Sequence, residues 1–221
     1  MYFLYFYLGY FYVLISLSLI YGLLTVRRHS PVQYRVMLWW LAATLPTEVT
    51  AFLVGHFYHR NHWVYNIWVP IECCFILLMF YKGAVQGRTR GMCRWLLILL
   101  PVGVFVSYLP HFVWVTLNIH EMLFCLFCEL LGACIYLIDN LLGGEDLSIF
   151  RQPLSWMAFG TILYACVFIL THGLWEFILV WPRWRYGMLV VVANTFQYGG
   201  VLLTLLALRK SNRQAEQGIM A

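Results

Sequence analysis

Residues 118–142 read NIHEMLFCLFCELLGACIYLIDNLL, and this stretch decides the fold. It is long and apolar enough to cross the hydrocarbon core of a bilayer, for which about 20 residues suffice. At about 100° per residue, Glu121, Cys125, Cys128, Glu129, Gly132, Tyr136 and Asp139 fall within one arc of roughly 100°. Leu123, Phe124, Leu126, Phe127, Leu130, Leu131, Leu137 and Ile138 cover the remainder. One face suits lipid and the other suits protein or water. A carboxylate left unpaired in hydrocarbon is costly, so Glu121 and Glu129 belong on the inward face of a bundle.

Six further apolar segments flank this one, near residues 3–26, 36–57, 63–81, 95–109, 154–179 and 186–208. Hydrophobic residues make up 63% of the chain and charged residues 10%, against roughly 45–50% and 25% in soluble domains. A soluble fold could not cover that much apolar surface. The expected architecture is an all-α integral membrane protein, a seven-transmembrane helix bundle over residues 1–208 with a short basic tail over 209–221. The first segment lacks a basic start and a small-residue cleavage pattern, so it reads as a retained span. Pro101 and Pro110 interrupt the fourth, which is expected to be short or to continue as a kinked or interfacial piece through Val115.

Basic residues in the short loops set the orientation. Arg27, Arg28, Arg35, Lys82, Arg88, Arg90, Arg94, Arg151, Arg209, Lys210 and Arg213 fall on one side, and Arg60, Arg183 and Arg185 on the other. Eleven against three places the N-terminus outside and the C-terminus in the cytoplasm. The net charge of +5 then meets anionic headgroups of the lipid bilayer. A nucleic-acid surface is a poor fit, because the charges sit in short juxtamembrane loops. Trp63, Trp68, Trp95, Trp175, Trp181 and Trp184 lie near span ends, where interfacial anchors are expected.

Other spans carry polar residues toward the same outer half. Pro46 lies beside Thr44, Thr47 and Glu48 in the second. In the third, Tyr65, Trp68 and Glu72 line up, while Pro70 frees the carbonyl of Asn66. In the sixth, Thr161, Tyr164, Phe168 and His172 share a face, with Glu176 one turn beyond His172. The seventh carries Asn194, Gln197 and Tyr198. The residues Glu48, Tyr65, Glu72, Glu121, Glu129, His172, Glu176, Asn194 and Gln197 are therefore candidates for ligand binding or a proton relay in an outward-facing polar cavity. Helix-to-helix hydrogen bonding is the competing role, and it suits Asn194 and Gln197 best. No Lys or Arg occupies any span interior to neutralise the acids.

His56, His59 and His62, at three-residue spacing, are the weak candidates for a divalent metal; a polar interfacial loop explains them as well. Cys125 and Cys128 have no matching second pair, so packing is their expected role. The last span has no lysine for a retinal Schiff base. Neither a phosphate-binding Gly-rich loop, a nucleophile-elbow serine nor a His-Glu-x-x-His pattern occurs. No catalytic residue and no cofactor is expected, and an enzyme is the less favoured class.

The stretch Asn61-His-Trp-Val-Tyr65-Asn66-Ile-Trp-Val-Pro70-Ile-Glu72, the patch at Asn194–Tyr198 and the Ala-Leu-Arg-Lys ending of the last span resemble small seven-span bacterial membrane proteins of unassigned function. Those in turn resemble the membrane half of seven-span sensory receptors. The resemblance implies a sensor or ligand-binding protein that signals through a separate cytoplasmic or membrane partner. A proton- or ion-coupled transport component is the alternative, ahead of an intramembrane enzyme or a structural subunit of a membrane complex. Nothing in the sequence selects an oligomeric state.

Overall fold

The computed structural model describes residues 2–109, 116–143, 152–174 and 183–219, with side chains described for 9–109, 116–143, 152–174 and 185–214. These residues form seven helices: α1 (Tyr2–Thr25), α2 (Val32–Tyr58), α3 (His62–Gly83), α4 (Gly87–Tyr108), α5 (Ile119–Gly143), α6 (Leu154–Gly173) and α7 (Arg183–Ile219). Six, α2 to α7, are long and apolar enough to cross a membrane, and α1 adds a shorter apolar run over Gly9–Thr25. The elements among the described residues are all helical, and the protein is of integral membrane character.

Each helix packs on its chain neighbour, as short connections dictate, and α1 closes the ring against α7. In addition α3 touches α5 directly, which leaves α4 on the periphery against both. The apolar residues Trp95, Ile98, Leu99, Val102, Phe105 and Val106 accordingly face outward from α4, as lipid-facing positions do. The closest crossing is between α6 and α7, where Gly160 and Gly200 bring the two backbones together. Small residues at such crossings replace the hydrophobic driving force that lipid removes.

The ring has two unlike halves. The half holding the C-terminal ends of α1, α3 and α5 is filled by a large apolar cluster that includes Met37, Leu41, Ile76, Met79, Phe80, Tyr136, Leu154, Met157 and Leu205 and that continues into the other half through Phe11, Trp40, Trp68 and Tyr198. Phe80 stacks on Tyr136 with ring centroids 5.4 Å apart. The acids Glu48, Glu72, Glu121 and Glu129 lie in the other half or at its boundary, as their places along the helices require.

Two expectations need correcting. The fourth helix begins at Gly87 and runs unbroken through Pro101 to Tyr108, so the basic segment before Trp95 is helix and Cys93 is fully buried. Its sequence, rich in Gly and Arg, looks like a loop, but Asp139 of α5 holds it. That carboxylate accepts from the backbone N–H groups of Val85 (3.0 Å) and Gln86 (3.3 Å) and from Thr89 Oγ1 (2.8 Å), satisfying donors at a helix start. Pro110 and the segment to Val115 lie outside the described residues. The basic end of the chain is continuous helix through Ile219; Arg209 donates to the Tyr21 hydroxyl at 3.2 Å and lies 5.5 Å over its ring. Finally, Trp63 and Trp95 are exposed like interfacial anchors, but Trp68 is buried, because it turns toward Glu72. Trp175, Trp181 and the Trp184 side chain lie outside the described residues.

Candidate functional site

The site is assembled from the middle turns of five helices. On α2, Thr44, Thr47 and Thr50 donate back to the carbonyls of Trp40, Ala43 and Pro46, each at 2.8 Å. Such back-bonding around a proline bends a helix. One turn beyond Thr44, the half-buried Glu48 accepts at Oε2 from the Tyr65 hydroxyl of α3 at 3.1 Å, and its carbonyl accepts from Tyr12 of α1 at the same distance. Glu48 and Tyr65 are thus a direct pair.

Glu72 lies two turns further along α3 and is buried. The indoles of Trp40 and Trp68 both approach its carboxyl. Trp40 is fully buried. Its ring stacks on Tyr198 of α7, centroids 5.7 Å apart and planes 3° off parallel. Glu72 interacts electrostatically with Glu48 on one side and with Glu129 of α5 on the other. Tyr164 of α6 is within reach of all three acids and of Tyr198. The three carboxyls therefore feel one another's charge across α2, α3 and α5.

Several buried polar atoms of α5, α6 and α7 are unmet. Glu129 is 2% exposed and its Oε2 has no hydrogen-bond partner. Gln197 is 1% exposed, and neither its amide nitrogen nor its oxygen has one. Thr161, a turn from Tyr164 on α6, is fully buried with Oγ1 unmet. A buried polar atom left unpaired costs about 1–3 kcal/mol. Elsewhere among the described residues Thr25 Oγ1, Glu121 Oε1, Asn140 Oδ1 and Thr204 Oγ1 are unmet as well. Native proteins tolerate such a group where water or a ligand completes it.

The other candidates are distributed elsewhere. Glu121 belongs to a second network at the entry of α5: Tyr108 donates to its Oε2, Asn118 Oδ1 accepts from its N–H at 3.2 Å, and Asn118 N–H donates to Asn66 Oδ1 at 3.0 Å. Asn66 Nδ2 also donates to the Thr116 carbonyl at 2.9 Å. The Asn66 carbonyl that Pro70 releases lies 3.4 Å from the Tyr108 hydroxyl. This network ties α3, α4 and α5 together. His172 ends α6; its Nδ1 lies 3.0 Å from the Phe168 carbonyl and its Nε2 3.4 Å from the Tyr186 hydroxyl of α7. Glu176 lies outside the described residues. Asn194 donates to the Val190 carbonyl of its own helix at 2.9 Å. His56, His59 and His62 are exposed, and among the described residues no three His, Cys, Asp or Glu side chains come together as metal ligands.

Sequence reasoning missed Trp40. The pair Trp39-Trp40 carried the signal, since adjacent helical residues face about 100° apart and cannot both meet lipid squarely; Trp39 is 70% exposed and Trp40 0%. Cys73 donates to the Cys125 carbonyl at 3.4 Å and Cys128 is buried beside them, in keeping with packing. No protein-family model matches the chain, and no curated protein or solved structure matches it.

Proposed function

We propose that the chain is a seven-span membrane sensor or ligand-binding protein, N-terminus outside, whose interior polar site faces the outer half of an inner membrane. One observation carries the reading: Glu48, Glu72 and Glu129 of α2, α3 and α5 interact electrostatically at the middle of their helices, while apolar side chains pack toward the C-terminal ends of α1, α3 and α5. A receptor needs an opening to one face only. A carrier must connect its site to both faces, and Phe80, Tyr136, Met37, Met79 and Leu205 fill the path that connection would take. Occupancy of the site would alter how α2, α5, α6 and α7 pack, and a partner at the cytoplasmic ends would read that change.

Proton- or ion-coupled transport is the second reading, favoured by acids on three helices that interact electrostatically. Reconstituted liposomes separate the two. Under an imposed proton or sodium gradient, the receptor reading expects no flux above protein-free vesicles. Flux that Glu129→Gln abolishes would overturn it in favour of transport.

A further inference from the structure

Apart from the interior site, and whichever face of the membrane the basic end meets, we infer that the seam between α1 and α7 binds an anionic phospholipid. The two helices run side by side in the same direction. The Tyr10 and Thr195 hydroxyls lie 3.1 Å apart near one end, and Arg209 donates to the Tyr21 hydroxyl at 3.2 Å near the other. Both contacts are exposed, so they trace the outer surface of the seam. At about 100° per residue, Tyr10, Leu17, Tyr21 and Leu24 of α1 share an arc of roughly 60°. Leu202, Leu206, Arg209 and Arg213 of α7 share another of the same width, which also contains Thr195. Leu17, Leu24, Leu206, Arg209 and Arg213 are all exposed. The seam is therefore apolar along its length and cationic at one end, where Lys210 and, in the turn after α1, Arg28 are exposed as well.

Arg209 is held in place there without being neutralised. Its partner is an uncharged phenol, whose ring lies 5.5 Å below the guanidinium. A guanidinium carries five N–H donors in a fork that fits phosphate, so most of them remain for a ligand. The one acid of the basic end among the described residues, Asp139, is taken up by the start of α4. A phosphodiester at Arg209 and Arg213 supplies the missing negative charge, and its acyl chain then lies along Leu206 and Leu24. One lipid molecule covers both parts of the seam, whereas an acidic protein would engage the cations alone. Arg209, Lys210 and Arg213 fall within little more than one helical turn and repel a headgroup amine. The chemistry favours a phosphatidylglycerol-type headgroup over a zwitterionic one.

The test uses full-length protein purified in a maltoside detergent, with thermal unfolding read against concentration for dioleoyl phosphatidylglycerol, dioleoyl phosphatidylcholine and glycerol 3-phosphate. Phosphatidylglycerol is expected to stabilise at concentrations roughly tenfold below those needed for phosphatidylcholine, with glycerol 3-phosphate inert. Arg209→Gln combined with Arg213→Gln, measured against its own lipid-free transition, should weaken the apparent affinity for phosphatidylglycerol roughly tenfold, about the effect of losing charged hydrogen bonds. Tyr21→Phe, which releases Arg209 but keeps its charge, should weaken it less. Arg88→Gln combined with Arg94→Gln removes the same charge from α4, which packs on α3 and α5, and should leave the response unchanged. An equal loss in both double variants means diffuse attraction to the basic end and overturns the seam as a site. Equal responses to the two lipids, a matching response to glycerol 3-phosphate, or no response to phosphatidylglycerol also overturn the inference, the last in favour of an acidic protein partner. None of these results bears on the receptor reading, which flux in liposomes decides separately.

Discussion

Gly160→Ala puts the α6–α7 crossing to a quantitative test. A Cβ at Gly160 would lie 2.4 Å from the Phe196 carbonyl oxygen and 3.1 Å from the Gly200 Cα. Ordinary contacts begin at 3.4 Å, so the helices must separate by roughly 1 Å, and both obstacles are backbone that cannot rotate away. Overpacking of this kind costs about 1–3 kcal/mol. Replacing Gly by Ala within a helix returns up to about 1 kcal/mol, so the net loss should be about 1–2 kcal/mol. Gly200→Ala meets the Trp156 carbonyl oxygen at 2.8 Å and should behave alike. Gly199, the adjacent residue of α7, has nothing within 4 Å of its would-be Cβ, so Gly199→Ala should be neutral or stabilising. Equilibrium unfolding in mixed micelles of maltoside and dodecyl sulfate measures all three. Equal stabilities for Gly160→Ala and Gly199→Ala would refute the close crossing.

Gln197→Leu removes two unmet buried polar atoms and should stabilise the ligand-free protein by about 1–2 kcal/mol, as sites kept for function often allow. A loss of stability would make Gln197 a helix contact instead. Asp139→Ala leaves the N–H groups of Val85 and Gln86 and the Thr89 hydroxyl without their acceptor, at a cost of about 2 kcal/mol, and should expose Arg88 and Arg90 to trypsin; unchanged melting and cleavage would show that α4 is held by other means. Labelling with an impermeant thiol reagent, on cysteines introduced singly at Gln86 and His59, should find Gln86 at the cytoplasmic face and His59 outside. The reverse pattern would invert the orientation.

Helix positions and inward faces were legible from the sequence, because hydrophobic periodicity and the cost of burying charge act locally. Neighbours across helices were not. Glu121 and Glu129 share an arc of α5, yet eight residues of rise separate them by about 12 Å. They end in different networks, one with Tyr108 and Asn118 and the other with Glu72. Periodicity reports direction around a helix and says nothing of which partner waits at each depth. The start of α4 was hidden for a similar reason: two glycines and three arginines read as a loop, and the acceptor that organises them sits about 50 residues later at Asp139. Glu48 and Tyr65 were found because each is the polar group of a span segment where little else could face inward. Trp40 escaped because an aromatic residue beside another in an apolar run carries no mark of which one turns in.

The central claim is that the interior between Glu72, Glu129 and Gln197 is a site completed by something other than protein. An experimental density map of the protein in a lipid nanodisc, at a resolution that resolves ordered water, tests this most directly. The account predicts density for water or a small molecule within hydrogen-bond distance of Glu129 Oε2 and of the Gln197 amide. Side chains repacked so that these groups pair with one another, with no density between them, would contradict it.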